Sequence, residues 1–313
     1  MSLYQVARWQ IPHSRSWGVV LALVAASISG VSVFVNGYAV KGFDDATVFT
    51  TAKNAIATIL LLVIVAAHRR SGRPAPPRLT RRQWGQLAVL GLIGGSVPFV
   101  LFFEGLARAS STQAGFIHKT LVVWVAALAV PVLRERLTPF HVTAVLLLVG
   151  GQVALAGDLT TLRFGGGELM ILAATLFWAI EFVIAKRLLG SLPSATVGAG
   201  RLGFGLVLLL GLVAGTGRLG TMVSLAPGQW GWVVLTGGLL AAFVSTWYAA
   251  LARALALDVT AVLVFGAVVT AGLAGALQGA PVVPNGVGLA LILAGTCAVA
   301  VGVARQSRLG ALS

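Results

Sequence analysis

A chain of 313 residues, 58% hydrophobic and only 10% charged, with a mean hydropathy of +0.96, excludes an ordinary water-soluble domain. Its net charge of +14 would suit nucleic acid, but the arginines stand between apolar runs rather than in one patch, so no nucleic-acid partner is predicted. The lone cysteine, Cys297, sits in the last apolar run, which excludes a disulfide framework or a cysteine-based metal site and reads as a buried structural thiol.

Met1 to Ser16 is polar and basic, and the run from Trp17 to Val40 is longer than a signal-peptide core. The small residues from Ala25 to Gly30 keep cleavage open as an alternative. Apolar stretches of about 20 residues, long enough to span a bilayer at ~1.5 Å per residue, recur to the end of the chain. Ten membrane helices are predicted over about 17–37, 46–67, 84–107, 112–133, 139–156, 167–187, 195–215, 230–251, 258–278 and 285–304. The fold class expected is therefore all-α integral membrane, with the lipid bilayer as its first partner.

The connections are short. That from His68 to Arg82 carries Arg69, Arg70, Arg73, Arg78, Arg81 and Arg82 among three prolines and reads as a solvated cytoplasmic linker. Placing both termini in the cytoplasm leaves only Lys41, Arg108, Arg163 and Arg218 outside. Trp9, Trp17, Trp84, Trp230 and Trp232 fall near the expected interfaces, as an aromatic belt would.

The two halves repeat each other. Leu106-Ala107-Arg108-Ala109 returns as Leu251-Ala252-Arg253-Ala254, Pro139 falls on Pro284, and Leu148-Val149-Gly150 on Leu293-Ala294-Gly295. Ala46-Thr47-Val48 returns as Ala195-Thr196-Val197, and Gly18 aligns with Gly167. The chain divides into a cytoplasmic segment 1–16, a unit 17–156, a second unit 167–304 and a cytoplasmic tail 305–313. Five spans per unit force the second copy to enter the membrane from the opposite side, giving two inverted five-helix repeats.

The turn Arg134-Glu135-Arg136-Leu137-Thr138-Pro139, followed by Leu146-Leu147-Leu148-Val149-Gly150-Gly151, resembles the drug/metabolite transporter superfamily and, within it, the ten-helix EamA-type carriers. The resemblance spans about Trp17 to Val303. Arg134 stands where that family has glycine, and Ala280 where it usually has glutamate. What the resemblance implies is a transporter of small organic metabolites with alternating access and no enzymatic activity.

Polar residues inside the apolar runs are the candidate functional groups. Lys53 and Arg201 align between the halves, about 10 Å below the outer surface and about 9 Å above the inner one at ~1.5 Å per residue. Each either lines a polar cavity or stretches to its nearer interface. Glu181 shares the depth of Arg201, so a pair is expected, as structure or as part of an inner gate. Near the outer end, Glu104 is the acid within reach of Lys53 or Lys119, which leaves a positive charge over. Lys119 is the residue expected to meet a substrate carboxylate.

On an ideal helix His118 is turned about 100° from Lys119, so the two are not expected to face one cavity. His118 either couples transport to protons or packs between helices. Trp124 and Trp178 lie near mid-membrane and either wall the site or fill space. Asn36, Asn54, Gln113 and Gln152 offer amides to substrate or to neighbouring helices. The substrate-binding candidates are Lys119, Lys53, Trp124, Trp178, Gln113 and Asn54, and the gating or coupling candidates Glu181, Arg201, Glu104 and His118.

The glycine-rich piece Gly91-Leu92-Ile93-Gly94-Gly95 lacks the setting of a phosphate loop and reads as close helix packing, with kinks at Pro98 and Pro131. The four histidines show no metal spacing, and no cofactor is expected. The function expected is export of amino acids or related carboxylates across a bacterial cell membrane. Efflux of lipophilic cations is the transport alternative, and a membrane enzyme or assembly partner the alternative of another class. A monomer and a homodimer both remain open.

Overall fold

The computed structural model describes residues 15–70, 79–109, 111–135, 138–156, 165–278 and 286–309. Helices account for nearly all of them: α1 (Arg15–Ala39), α2 (Ala46–Arg70), α3 (Arg81–Leu90), α4 (Val97–Arg108), α5 (Ser111–Lys119), α6 (Leu121–Leu133) and α7 (Pro139–Ala156) in the first half. The second half holds α8 (Gly166–Leu188), α9 (Ser194–Gly215), α10 (Leu219–Val223), α11 (Pro227–Leu251), α12 (Ala256–Leu263), α13 (Gly266–Gln278) and α14 (Gly286–Leu309). Among the described residues nine apolar stretches are long enough to cross a membrane, and Pro139–Ala154 is a shorter tenth. The all-α membrane fold expected from the sequence is the one observed.

Local chemistry sets the helix starts. Asp45 accepts from the backbone N–H groups of Thr47 (2.9 Å) and Val48 (3.0 Å) ahead of α2, and Thr80 and Gln83 form a reciprocal capping box at α3. Glu168 reaches back to the N–H of Gly165 (3.0 Å) at α8, and Pro227 occupies the first turn of α11.

The two halves pack as inverted copies. A Cβ on Gly18 would lie 2.8 Å from Ala254 Cβ and 3.0 Å from Arg253 Cβ, and one on Gly167 would lie 3.1 Å from Arg108 Cβ and 3.2 Å from Ala109 N. Gly18 aligns with Gly167 and Arg253-Ala254 with Arg108-Ala109, so one glycine contact is built twice, once in α1 against the end of α11 and once in α8 against the end of α4. Such close approach of backbones is how membrane helices gain packing energy when lipid is as apolar as leucine.

Three of the ten expected helices are not continuous. The third is interrupted by a π-helical segment, Gly91–Ser96, and the fourth and ninth are broken at Thr120 and at Val264–Phe265. Thr120 and Phe265 stand in the same register as Pro139 and Pro284, so the breaks too are mirrored. Each uses tight i→i+3 bonds: Thr120 N to Ile117 O (3.1 Å) and Val123 N to Thr120 O (2.9 Å) in one, Phe265 N to Val262 O (3.0 Å) and Val268 N to Phe265 O (2.9 Å) in the other. The Thr120 hydroxyl also takes the Ile117 carbonyl at 2.7 Å, competing with the regular ladder. Pro131 lies inside α6, away from the break.

The π segment fits against α9. A Cβ on Gly95 would run into the carbonyl of Arg201, and one on Gly205 would lie 2.5 Å from the Gly95 backbone. The Ser96 hydroxyl donates to the carbonyls of Gly91 (3.1 Å) and Leu92 (3.0 Å), a further bond across the wider turn. Large apolar side chains such as Val63, Leu146, Val207 and Val287 point outward, as a lipid-facing surface requires. Cys297 belongs to that surface: it is exposed on α14, which corrects the buried reading, because the apolar run that carries it faces outward at this position.

Candidate functional site

Between helices of both halves lies a cavity of about 140 Å³. Lys53, Lys119, His118, Trp178, Glu181 and Arg201 all line it. Lys53 is 2% exposed, and neither it nor Arg201 reaches for an interface. The Lys53 ammonium lies 3.1 Å from Asn36 Oδ1 and 3.7 Å from the centre of the Phe103 ring, so an amide oxygen and a ring face replace its water. The Arg201 guanidinium lies 5.5 Å from the Phe99 ring.

Glu181 meets Arg201 at 3.6 Å, as their shared depth predicts, and also accepts from the Tyr248 hydroxyl. Gly94 makes the room for this group: a Cβ there would overlap Glu181 Cγ. The Gly94 carbonyl, in the π segment, accepts the Trp178 indole N–H at 3.1 Å. The glycine-rich piece is thus both packing and scaffold for one wall of the cavity.

Lys119 and His118 line the same cavity, against the ideal-helix expectation. Both stand in the last turn of α5 and reach the cavity along adjoining walls, the ring of His118 held between Phe102 (centroids 5.2 Å) and Trp178 (5.0 Å). Lys119 reaches the crossing of α1 and α13, where a Cβ on Gly266 would lie 3.4 Å from its Nζ. Among the described residues no carboxylate pairs with Lys53 or Lys119.

Glu104 is not their counter-ion. It pairs with Arg108 one turn away (3.0 Å) and accepts from the Thr47 hydroxyl (2.9 Å), because its place near the helix end favours a local partner. Two further candidates fall outside the cavity lining. Asn54 is fully buried and bonds the Thr50 carbonyl at 2.7 Å, and Trp124 is 37% exposed with its N–H on Thr120 Oγ1 at 3.1 Å. Asn36 takes the lining position instead. The side chain of Gln113 lies outside the described residues, as do Arg136 and Ala280.

At the Arg15 end of the bundle the halves are clasped by charges that the sequence reading did not assign. Asp258 on α12, fully buried, accepts from Arg15 on α1 (2.7 and 3.0 Å) and lies 2.9 Å from His141 Nε2 on α7. The N–H of Thr138 donates to His141 Nδ1 (3.1 Å), which puts the ring proton on Nε2, where it donates to Asp258. Glu135 accepts from the N–H groups of Ala256 (2.8 Å) and Leu257 (3.1 Å), capping α12 from the opposite half. Lys186 donates to the carbonyls of Leu251 (2.6 Å) and Ala254 (2.5 Å) beside it. Asp258 stands at the first position of the helix expected over about 258–278, and its distant partners leave no local signal in the sequence. The cavity residues of α1, Ser29 to Gly37, begin about 21 Å further along its axis, at ~1.5 Å per residue, so the clasp closes the end of the bundle away from them.

Two inverted helical units around a shared cavity define a polytopic membrane protein. The EamA-like transporter family matches residues 16–156 and 165–301, and the chain belongs to that family of membrane transporters. A solved crystal structure of a protein shares the fold, with 20% identity, a TM-score of 0.74, and coverage of 94% of this chain and 99% of the other. No curated protein matches the chain.

Proposed function

We propose that the chain is a secondary transporter carrying small organic carboxylates by alternating access across a bacterial cell membrane. The observation that carries this reading is Lys119: a buried ammonium on the cavity with no ion-pair or hydrogen-bond partner among the described residues. A desolvated cation is costly alone, and an anionic substrate group offsets that cost. The clasp at the Arg15 end belongs to the state closed on the cytoplasmic side, with both termini in the cytoplasm. Export is the direction that the family resemblance favours.

Counterflow in proteoliposomes tests the proposal, with labelled amino acids, organic anions and lipophilic cations offered to wild type and to Lys119→Ala. Uptake of a carboxylate by wild type, lost in the variant, is expected. Efflux of lipophilic cations is the second reading, favoured by Glu181 on the cavity wall. Flux of cations alone, abolished by Glu181→Gln and indifferent to Lys119, would replace the first reading by the second.

A further inference from the structure

Resting on the carboxylate-transporter reading, we infer that the substrate is a single-ring aromatic monocarboxylate without a free ammonium group. Charge on the cavity wall is the first reason. Lys53 is already compensated by Asn36 and by the face of Phe103, whereas Lys119 has no such partner, so one anion completes the wall. An α-amino acid would bring an ammonium as well, and that group needs an acceptor of its own.

The wall offers no free carboxylate for it. Glu181 is the carboxylate among the described lining residues, and Tyr248 and Arg201 both hold it. Two of the lining ring faces already carry the protein's own cations: Lys53 lies over Phe103 at 3.7 Å, and Arg201 is 5.5 Å from the centre of Phe99. A substrate ammonium would therefore enter beside Lys53 and Lys119 with no free carboxylate to balance it, at a cost that a plain carboxylate avoids.

Size and surface supply the second reason. A cavity of about 140 Å³ is close to the ~150 Å³ that holds a benzene molecule in an engineered apolar site, so one ring fits. Phe102, Trp178 and His118 form a mutually packed aromatic wall, with Phe102 and Trp178 centroids 5.4 Å apart. His118 adjoins Lys119, so a carboxylate on Lys119 places its ring against this wall by edge or offset stacking.

Competition binding to the purified full chain in nanodiscs tests this, with labelled 3-phenylpropionate against phenylalanine, 3-cyclohexylpropionate, phenethylamine and inorganic phosphate. Phenylpropionate is expected to bind at least about tenfold tighter than phenylalanine, and Lys119→Met to weaken it about 10- to 100-fold, with Lys119→Arg retaining most of the affinity. Phenylalanine binding as tightly as phenylpropionate overturns this inference while carboxylate transport stands. Cyclohexylpropionate equalling phenylpropionate overturns the aromatic part in the same way. Binding of phenethylamine alone overturns the inference and the carboxylate reading together. The wild-type ratio of phenylpropionate to phenylalanine decides the matter even where Lys119→Met fails to fold.

Discussion

Asp258→Asn is expected to loosen the Arg15 end of the bundle. The side chain keeps its shape but loses the charge that holds two Arg15 nitrogens at 2.7 and 3.0 Å and His141 Nε2 at 2.9 Å. Asp258 is fully buried and Arg15 is 24% exposed, so the pair is desolvated enough to matter. Breaking a buried pair on one side costs about 3–5 kcal/mol, and the partial exposure of Arg15 argues for the lower figure. Because the clasp ties α1 and α7 to α12 of the other half, its loss falls on the state closed at this end. About 3 kcal/mol is a shift of roughly 100-fold in that equilibrium. The assay is labelling of Leu188→Cys, a buried residue at the same end, by a membrane-impermeant maleimide in a Cys297→Ala background. Labelling should accelerate by up to that factor in Asp258→Asn. An unchanged rate in a protein that still elutes as a folded species would show that the clasp does not hold this end shut.

The glycine contact between the π segment and α9 is tested by Gly205→Ala. Its Cβ would lie 2.5 Å from the Gly95 backbone, so a thermal-unfolding series in detergent should show a loss of about 1–3 kcal/mol or more. Gly203→Ala, with nothing within 4 Å of its Cβ, should instead gain up to about 1 kcal/mol from helix propensity, and equal effects at the two sites would refute the packing argument. Arg134 ends α6 in the left-handed region at φ 56°, so Arg134→Gly should raise stability by about 0.5–1 kcal/mol in the same assay. Glu135→Gln keeps one acceptor for α12 but loses the charge at its N-terminus, and should cost about 1 kcal/mol, read by the same unfolding series.

The sequence by itself determined the membrane class, the doubled five-helix plan and the depth at which Glu181 meets Arg201. Those follow from apolar length, repeat register and rise per residue, none of which needs a neighbour. Only the tertiary structure decided which polar groups share a cavity. Lipid and protein interior are equally apolar, so the pattern on a membrane helix does not say which face looks inward. For that reason the pattern leaves Trp124 and Asn54 as wall or packing residues alike, reads the exposed Cys297 as buried, and separates His118 from Lys119, which line one cavity. Glu104 was matched to distant lysines when an arginine one turn away lay closer. The clasp of Arg15, His141 and Asp258 joins residues from opposite ends of the chain, and long-range pairing of this kind is set by how the inverted halves dock rather than by any local signal.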